Sequence, residues 1–245
     1  IYLAGIAFSR YCFYHKNSRQ ATFMGCMIYI FAGWTIYAAM KHPYFSNPMI
    51  YLPLILMGHS MGSLAVRAFA AKHDSCMDML IVCGSPSYNA AWPLGVAIAK
   101  TEKALFGPHH RSKLIETLSF GSSVLKFRKD KNCTSWICAN KAAAQEYSDS
   151  ELCGFTFTDD GYLALFELMR RAYDVESFSC TNPSMPVLFI SGAEDPCLID
   201  VRHFAKTVRA MRKAGYRDVK GKLYPGMRHE ILNEINKEQV YRDIA

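Results

Sequence analysis

The sequence predicts an α/β fold in which a mostly parallel β-sheet is covered by helices on both faces. Short runs at residues 54–57, 79–83, 186–191 and 219–224 form the predicted strands, and the first three are apolar almost throughout. Continuously apolar strands are typical of parallel sheets that are buried on both sides. Helical patterns separate these runs, and each run is followed by a turn that contains glycine, as the alternation of an α/β fold requires.

The composition is that of a globular protein. The chain has 245 residues, of which 51% are hydrophobic and 20% are charged, so one domain with a sizeable core is the default. The net charge of +7 is spread along the chain. The densest basic cluster, residues 126–131, contains Asp130, so we interpret it as a solvated loop and expect no nucleic-acid partner.

Nine cysteines are scattered along the chain without a C-x-x-C pair or zinc-finger spacing. A chain of this length does not need a disulfide framework, and the number of cysteines is odd. The pattern therefore favours reduced, mostly buried thiols and a cytoplasmic protein.

Residues 1–50 form an atypical N-terminal segment. The twenty residues from Ala21 to Met40 carry no charge, which is long enough for a membrane-spanning helix. Three interpretations stay open: a membrane anchor, a buried helix and strand of the core, or an aberrant N-terminus with missing or atypical strands. Residues 42–53 are rich in proline and aromatic residues and are predicted to form a loop.

The first strand ends in the pentapeptide Gly58-His59-Ser60-Met61-Gly62, and helix-forming residues follow. This is the G-x-S-x-G pattern of a strand–turn–helix with a serine at the apex. We expect both glycines to relieve steric conflict with the neighbouring strand and helix, and the serine backbone to be strained. The backbone N–H of Met61, at the start of the helix, is the candidate oxyanion donor.

The helix after this turn is predicted over residues 63–73. Its spacing predicts that Arg67 and Lys72 face solvent. The side chains predicted to be buried are Leu64, Ala65, Ala68 and Phe69.

Residues 87–183 interrupt the strand–helix alternation and are predicted to form a helical insertion over the sheet. Helical stretches occur near residues 94–105, 112–120, 139–147 and 161–173, together with many aromatic residues. These aromatics are either the lining of a lid for an apolar substrate or the insertion's own core. The pair His109-His110 is predicted to lie in a polar loop.

The alternation resumes with the strand at residues 186–191, a helix at 201–214, the strand at 219–224 and a last helix that starts at Ile231. Gly215 is predicted to end the helix that precedes it. That helix is amphipathic. Its predicted inward side chains are Val201, Phe204, Ala205, Val208 and Met211. The sheet and its helices thus belong to residues 51–86 and 184–245.

Three residues that suit nucleophilic catalysis each follow a predicted strand: Ser60, Asp195 and His229. The same ends of parallel strands meet at one edge of a sheet, so we expect these side chains to lie close together. Ser60 would be the nucleophile, His229 the general base, and Asp195 the group that orients the imidazole. Glu194 is the competing acid. We find no metal-ligand spacing and no glycine-rich phosphate loop, so we expect no metal and no cofactor.

From about Pro53 onward the chain resembles the monoacylglycerol lipase and lysophospholipase-like α/β hydrolases, also grouped as serine aminopeptidase S33-type hydrolases. The resemblance rests on Gly58 to Ser63, on PVLFISGAEDP ending at Pro196, on YPGMRHEILNE ending at Glu234, and on CGFTFT from Cys153. The YPGMRHEILNE stretch is similar to bacterial members. The resemblance implies an α/β-hydrolase fold, the triad of Ser60, Asp195 and His229, and hydrolysis of a small-molecule or lipid-like ester without a cofactor.

Residues 1–50 depart from the family pattern. They contain neither the His-Gly turn that supplies the second oxyanion donor nor an Asp-x-x-Gly-His-Gly segment before the nucleophile strand. Loss of one donor lowers the rate on the order of a hundred- to a thousandfold. Three functional hypotheses therefore stay open: an active esterase or lipase, a catalytically impaired remnant, and a peptidase of the same fold. Membrane contact is expected only if residues 21–40 form the anchor, and the sequence predicts no particular oligomeric state.

Overall fold

The computed structural model describes residues 54–130 and 132–244. The interpretations of residues 21–40 and of the loop at 42–53 fall outside these ranges. Within the described ranges, no helix combines the length and the apolarity needed to cross a membrane.

The part of the sheet that the described residues form has four strands, all parallel and in the order β1-β2-β3-β4. The strands are β1 (Ile55–His59), β2 (Met79–Cys83), β3 (Val187–Gly192) and β4 (Val219–Tyr224). Each corresponds to a strand that the sequence predicts, and the predicted parallel α/β fold is confirmed.

Seven α-helices occur in the described ranges. They are α1 (Met61–His73), α2 (Trp92–Phe106), α3 (Lys113–Lys126), α4 (Lys141–Asp149), α5 (Asp159–Tyr173), α6 (Val201–Lys213) and α7 (Lys237–Ile244). Helices α2 to α5 lie between β2 and β3, where the sequence predicts a helical insertion.

Alternate residues of each inner strand pack into cores on opposite faces of the sheet. Leu80 and Val82 of β2 contribute to the core that also holds residues of α1 and α6. Ile81 and Cys83 contribute to the core on the other face, which includes Val240 of α7. Because both faces are buried, no polar alternation marks these strands in the sequence.

The insertion has a small core of its own between α2, α3 and α5. It is built from Ala99, Ile115, Tyr162 and Phe166, with Trp92 and Phe157 packed against it. Phe106 and Phe155 of the insertion are instead exposed, at 64% and 58%. The interpretation as the insertion's own core therefore holds for Tyr162 and Phe166, and the lining of a lid stays a prediction.

The predicted orientation of α1 is only partly correct. Leu64 is buried and Lys72 is exposed as predicted, but Arg67 is completely buried, whereas Ala65 and Phe69 are exposed. The reason is that α1 packs against α5 in addition to β1 and β2. Helix α1 is therefore buried on more than the one face that its sequence predicts. The Arg67 guanidinium donates to Ala172 O at 2.7 Å and lies 4.2 Å from the centre of the Tyr173 ring.

We expect Arg67→Ala to lower the free energy of unfolding by about 3 kcal/mol, because it leaves a cavity and the buried Ala172 carbonyl without its donor. Arg67→Met retains most of the side-chain volume and removes a buried charge, so it should cost less than half as much. Equilibrium unfolding in urea measures both changes. An unchanged free energy of unfolding in Arg67→Ala would contradict this role of the arginine.

Two further predictions need correction. In α6, Phe204, Val208 and Met211 are buried as predicted, but Val201 is 61% exposed, because it lies in the first turn, beyond the edge of the core. The last helix begins at Lys237 rather than at Ile231, since turns occupy residues 231–236.

Candidate active site

Ser60 lies in the sharp turn between β1 and α1, in a backbone conformation that L-residues rarely adopt. Its φ is 53° and its ψ is −120°. A Cβ atom on Gly58 would overlap the carbonyl of Gly62, so this close approach requires glycine. The predicted strain and the predicted role of Gly58 therefore match the geometry.

Gly62 has a different environment from the one predicted. A Cβ atom at this position would meet no atom within 4 Å among the described residues. Met61 is the first residue of α1. The N–H groups of the first turn of a helix have no carbonyl partner within that helix, so α1 itself does not use the Met61 N–H. Met61 therefore retains the features expected of an oxyanion donor.

Asp195 and His229 form a buried pair beyond the ends of β3 and β4. Asp195 Oδ2 lies 3.0 Å from His229 Nδ1, and their side chains are 0% and 6% exposed. The Asp195 carboxylate also accepts hydrogen bonds from Ser191 Oγ at 2.8 Å and from the Cys197 N–H at 2.8 Å. These contacts fix the carboxylate. Because the carboxylate contacts Nδ1, the other ring nitrogen of His229, Nε2, is not occupied by Asp195. Glu194, the competing acid, is exposed.

Each member of this pair shifts the pKa of the other in the direction that favours its charged form. Burial raises the pKa of Asp195, but His229 and the hydrogen bonds from Ser191 and Cys197 bring the pKa below its usual value. Burial lowers the pKa of the His229 imidazole, but the negative charge of the Asp195 carboxylate, 3.0 Å away, raises the pKa above that of an ordinary histidine. The imidazole is thus a stronger base than an isolated histidine.

His59 connects the serine turn to the histidine turn. Its Nε2 lies 3.1 Å from His229 O, and the two rings are 4.6 Å apart. A Cβ atom on Gly84 would approach both rings, at 3.0 Å from His59 Nε2 and 3.3 Å from His229 Cε1. Ser60 N–H donates to Cys83 O at 3.0 Å, so the end of β2 supports both turns.

Contacts with the helical insertion hold the turn that carries His229. The buried Glu234 carboxylate accepts the N–H groups of Ala139 at 2.9 Å, Asn140 at 3.1 Å and Arg228 at 2.9 Å. The Glu234 side chain thus joins the turns at residues 231–236 to backbone that is distant in the chain. Arg228 also pairs with Asp130 at 2.8 Å.

Cys197 is a neighbour of the catalytic candidates that the sequence analysis does not single out. One ligand atom each of Asp195, Cys197 and His229 lies within 4.8 Å of the others. Burial raises the pKa of the Cys197 thiol, so the thiol stays protonated at neutral pH. Its position two residues after Asp195 is the only signal in the sequence. The seven cysteines within the described ranges are all free, but only Cys83 and Cys138 are buried, so the prediction that the thiols are mostly buried is wrong.

A parallel sheet with a strained serine turn before a helix, and with an acid–histidine pair beyond neighbouring strands, defines the α/β-hydrolase class of fold. The chain matches the family model described as serine aminopeptidase, S33, over residues 38–236. The protein therefore belongs to this family of α/β hydrolases, as the resemblance in sequence predicts.

Solved structures with the same fold include lipases and an esterase. A lipase in its open form has a TM-score of 0.68 and 20% identity, over 88% of this chain and 69% of that one. A thermostable carboxyl esterase from Bacillus coagulans has a TM-score of 0.68 and 20% identity, over 86% and 67% of the chains. A monoacylglycerol lipase from Paleococcus ferrophilus has a TM-score of 0.56 and 18% identity, over 85% and 73%. No curated protein matches the chain in sequence.

Proposed function

We propose that this protein is a serine hydrolase that cleaves carboxylic esters through an acyl-enzyme intermediate. The observation that carries the proposal is the buried Asp195–His229 pair at 3.0 Å, together with Ser60 at φ 53°, which follows His59, whose ring lies 4.6 Å from that of His229. The match to a hydrolase family supports the same class of reaction.

In the proposed mechanism, Ser60 Oγ attacks the ester carbonyl while His229 Nε2 takes the serine proton. Asp195 holds the imidazole through Nδ1 and stabilises its cationic form. The Met61 N–H and the N-terminus of α1 stabilise the negative charge on the carbonyl oxygen. His229 then returns the proton to the leaving alcohol, and water releases the acyl group by the same steps in reverse.

An apolar ester, such as a monoacylglycerol or a lysophospholipid, is the substrate class that the helical insertion favours. Three leucines line one face of α3 and are exposed: Leu114 at 51%, Leu118 at 61% and Leu125 at 64%. An apolar stripe of this kind suits contact with a lipid or a substrate chain. We infer that residues 87–183 act as a lid. Two of the structural neighbours carry the names lipase and monoacylglycerol lipase.

Two alternatives belong to the same fold. The family model's description, serine aminopeptidase, favours a peptidase as the second candidate. A catalytically impaired hydrolase is the third, because residues 1–50 contain no His-Gly turn that would supply a second oxyanion donor. The free cysteines favour a reducing compartment such as the cytoplasm.

The test combines covalent labelling with a substrate series. A fluorophosphonate probe reports a reactive serine, p-nitrophenyl esters from acetate to dodecanoate report acyl preference, and aminoacyl p-nitroanilides report peptidase activity. Labelling with faster turnover of medium or long esters supports the proposal. Anilide cleavage without ester cleavage would favour the peptidase, and folded protein with neither label nor turnover would favour the impaired hydrolase.

A further inference from the structure

A second cluster of ionisable side chains lies within the helical insertion, in contact with none of the catalytic candidates. It consists of Glu102 on α2, His110 in the loop between α2 and α3, and Asp159 at the start of α5. One ligand atom from each lies within 4.8 Å of the others. From its sequence, His110 is predicted only to lie in a polar loop, because its two partners are distant in the chain.

The cluster contains buried carboxylate oxygens that other groups do not satisfy. Asp159 is 0% exposed, and its Oδ1 has no hydrogen-bond partner among the described residues. Glu102 Oε2 is also buried and has no partner within the same ranges. Two such oxygens in one buried cluster repel each other unless a positive charge lies between them.

Nearby cations do not supply that charge in full. Asp159 Oδ2 lies 3.1 Å from His110 Nδ1, so the imidazole faces one of the two carboxylates. Lys103, next to Glu102 in the chain, pairs with Asp160 at 2.5 Å on the surface. Among the described residues, no lysine or arginine pairs with Glu102 or Asp159.

We propose that Glu102, His110 and Asp159 bind a divalent transition-metal ion, and that zinc fits the donor set best. One imidazole and two carboxylates are common zinc ligands, with a water molecule in the fourth position. Bonds of about 2.0 Å at a tetrahedral angle separate two ligand atoms by about 3.3 Å. The His110–Asp159 separation of 3.1 Å is close to that value, and a carboxylate oxygen of Glu102 lies within 4.8 Å of both ligand atoms.

The backbone already brings two of the ligands together. The Asp159 N–H donates to His110 O at 2.8 Å, and the His110 ring lies 4.8 Å from the ring of Phe106. A bound ion would join α2, the loop before α3 and the N-terminus of α5. It would thereby stabilise the helical insertion whether or not the proposed ester hydrolysis is correct.

Zinc binding is measured on the full chain after removal of metal with a chelator, by equilibrium dialysis and elemental analysis. We expect one tight zinc ion per chain. We expect His110→Gln and Asp159→Asn to weaken binding by at least about a hundredfold. The matched controls are His109→Gln and Asp160→Asn, which change the exposed neighbours of the two ligands and should leave binding unchanged.

Thermal unfolding supplies a second measurement that does not depend on activity. Zinc at a hundred times its Kd should raise the Tm by about 5–10 °C, and the rise should disappear in His110→Gln. The His110 side chain is partly exposed and that of Asp159 is fully buried, so His110→Gln is less disruptive to the fold than Asp159→Asn. If Asp159→Asn does not fold, the result for His110→Gln decides the test.

Two outcomes would overturn the proposal. One is zinc binding that His110→Gln leaves intact and Cys197→Val removes, which would assign the ion to the Asp195, Cys197 and His229 cluster. The other is the absence of tight zinc binding in the unmodified, folded protein, with no change in Tm.

Discussion

Ser60→Ala is expected to lower kcat/KM for p-nitrophenyl esters by a factor on the order of ten thousand to a million. Alanine removes the only oxygen that the proposed mechanism uses to form the acyl-enzyme. The fold should be retained, because the serine backbone rather than its hydroxyl bonds to Cys83. Initial rates and fluorophosphonate labelling measure the loss, and circular dichroism checks the fold.

Ser122→Ala, an exposed serine on α3, is the matched control and should keep full labelling. Ser60→Gly separates chemistry from strain. It should be as inactive as Ser60→Ala but more stable by about 1 kcal/mol, because glycine adopts φ 53° without steric cost. Full ester turnover in Ser60→Ala would exclude this serine as the nucleophile.

The sequence predicts the sheet and the serine turn well because local pattern determines both. A strand that is buried on two faces must be apolar at successive positions, as Leu80 and Ile81 are. The turn at Ser60 needs glycine where backbone approaches backbone, and Gly58 meets this need. Because the strands are parallel, chain order alone places the residues that follow β1, β3 and β4 at one edge.

The mistaken and missed features all depend on contacts between distant parts of the chain. Arg67 is buried because α5 covers it. Helix α5 begins at Asp159, more than ninety residues after Arg67. Glu234, in the turns that precede the last helix, accepts hydrogen bonds from residues 139 and 140. Glu102, His110 and Asp159 are too far apart in the chain to form a short sequence motif. No periodicity within one segment contains this information.

The second large effect is expected for Asp195→Asn, which should lower kcat about ten-thousandfold while His229 stays in place. The pH dependence should change as well. His229 acts as a base only when neutral, and its pKa lies well above 6.5, in part because of the Asp195 carboxylate. In the unmodified protein, kcat/KM should therefore rise with pH through a value above 6.5. Asparagine removes the negative charge, so the rise should shift to lower pH.

Glu194→Gln is the matched control, because Glu194 is the adjacent acid and is exposed. This variant should keep both the rate and the pH profile, since the Asp195 carboxylate, not that of Glu194, lies 3.0 Å from His229 Nδ1. Rates measured from pH 5 to 10 on one ester distinguish the two acids. If Asp195→Asn retained the rate and Glu194→Gln lost it, the roles of the two carboxylates would be reversed. If both variants kept the profile of the unmodified protein, the histidine would titrate independently of either acid.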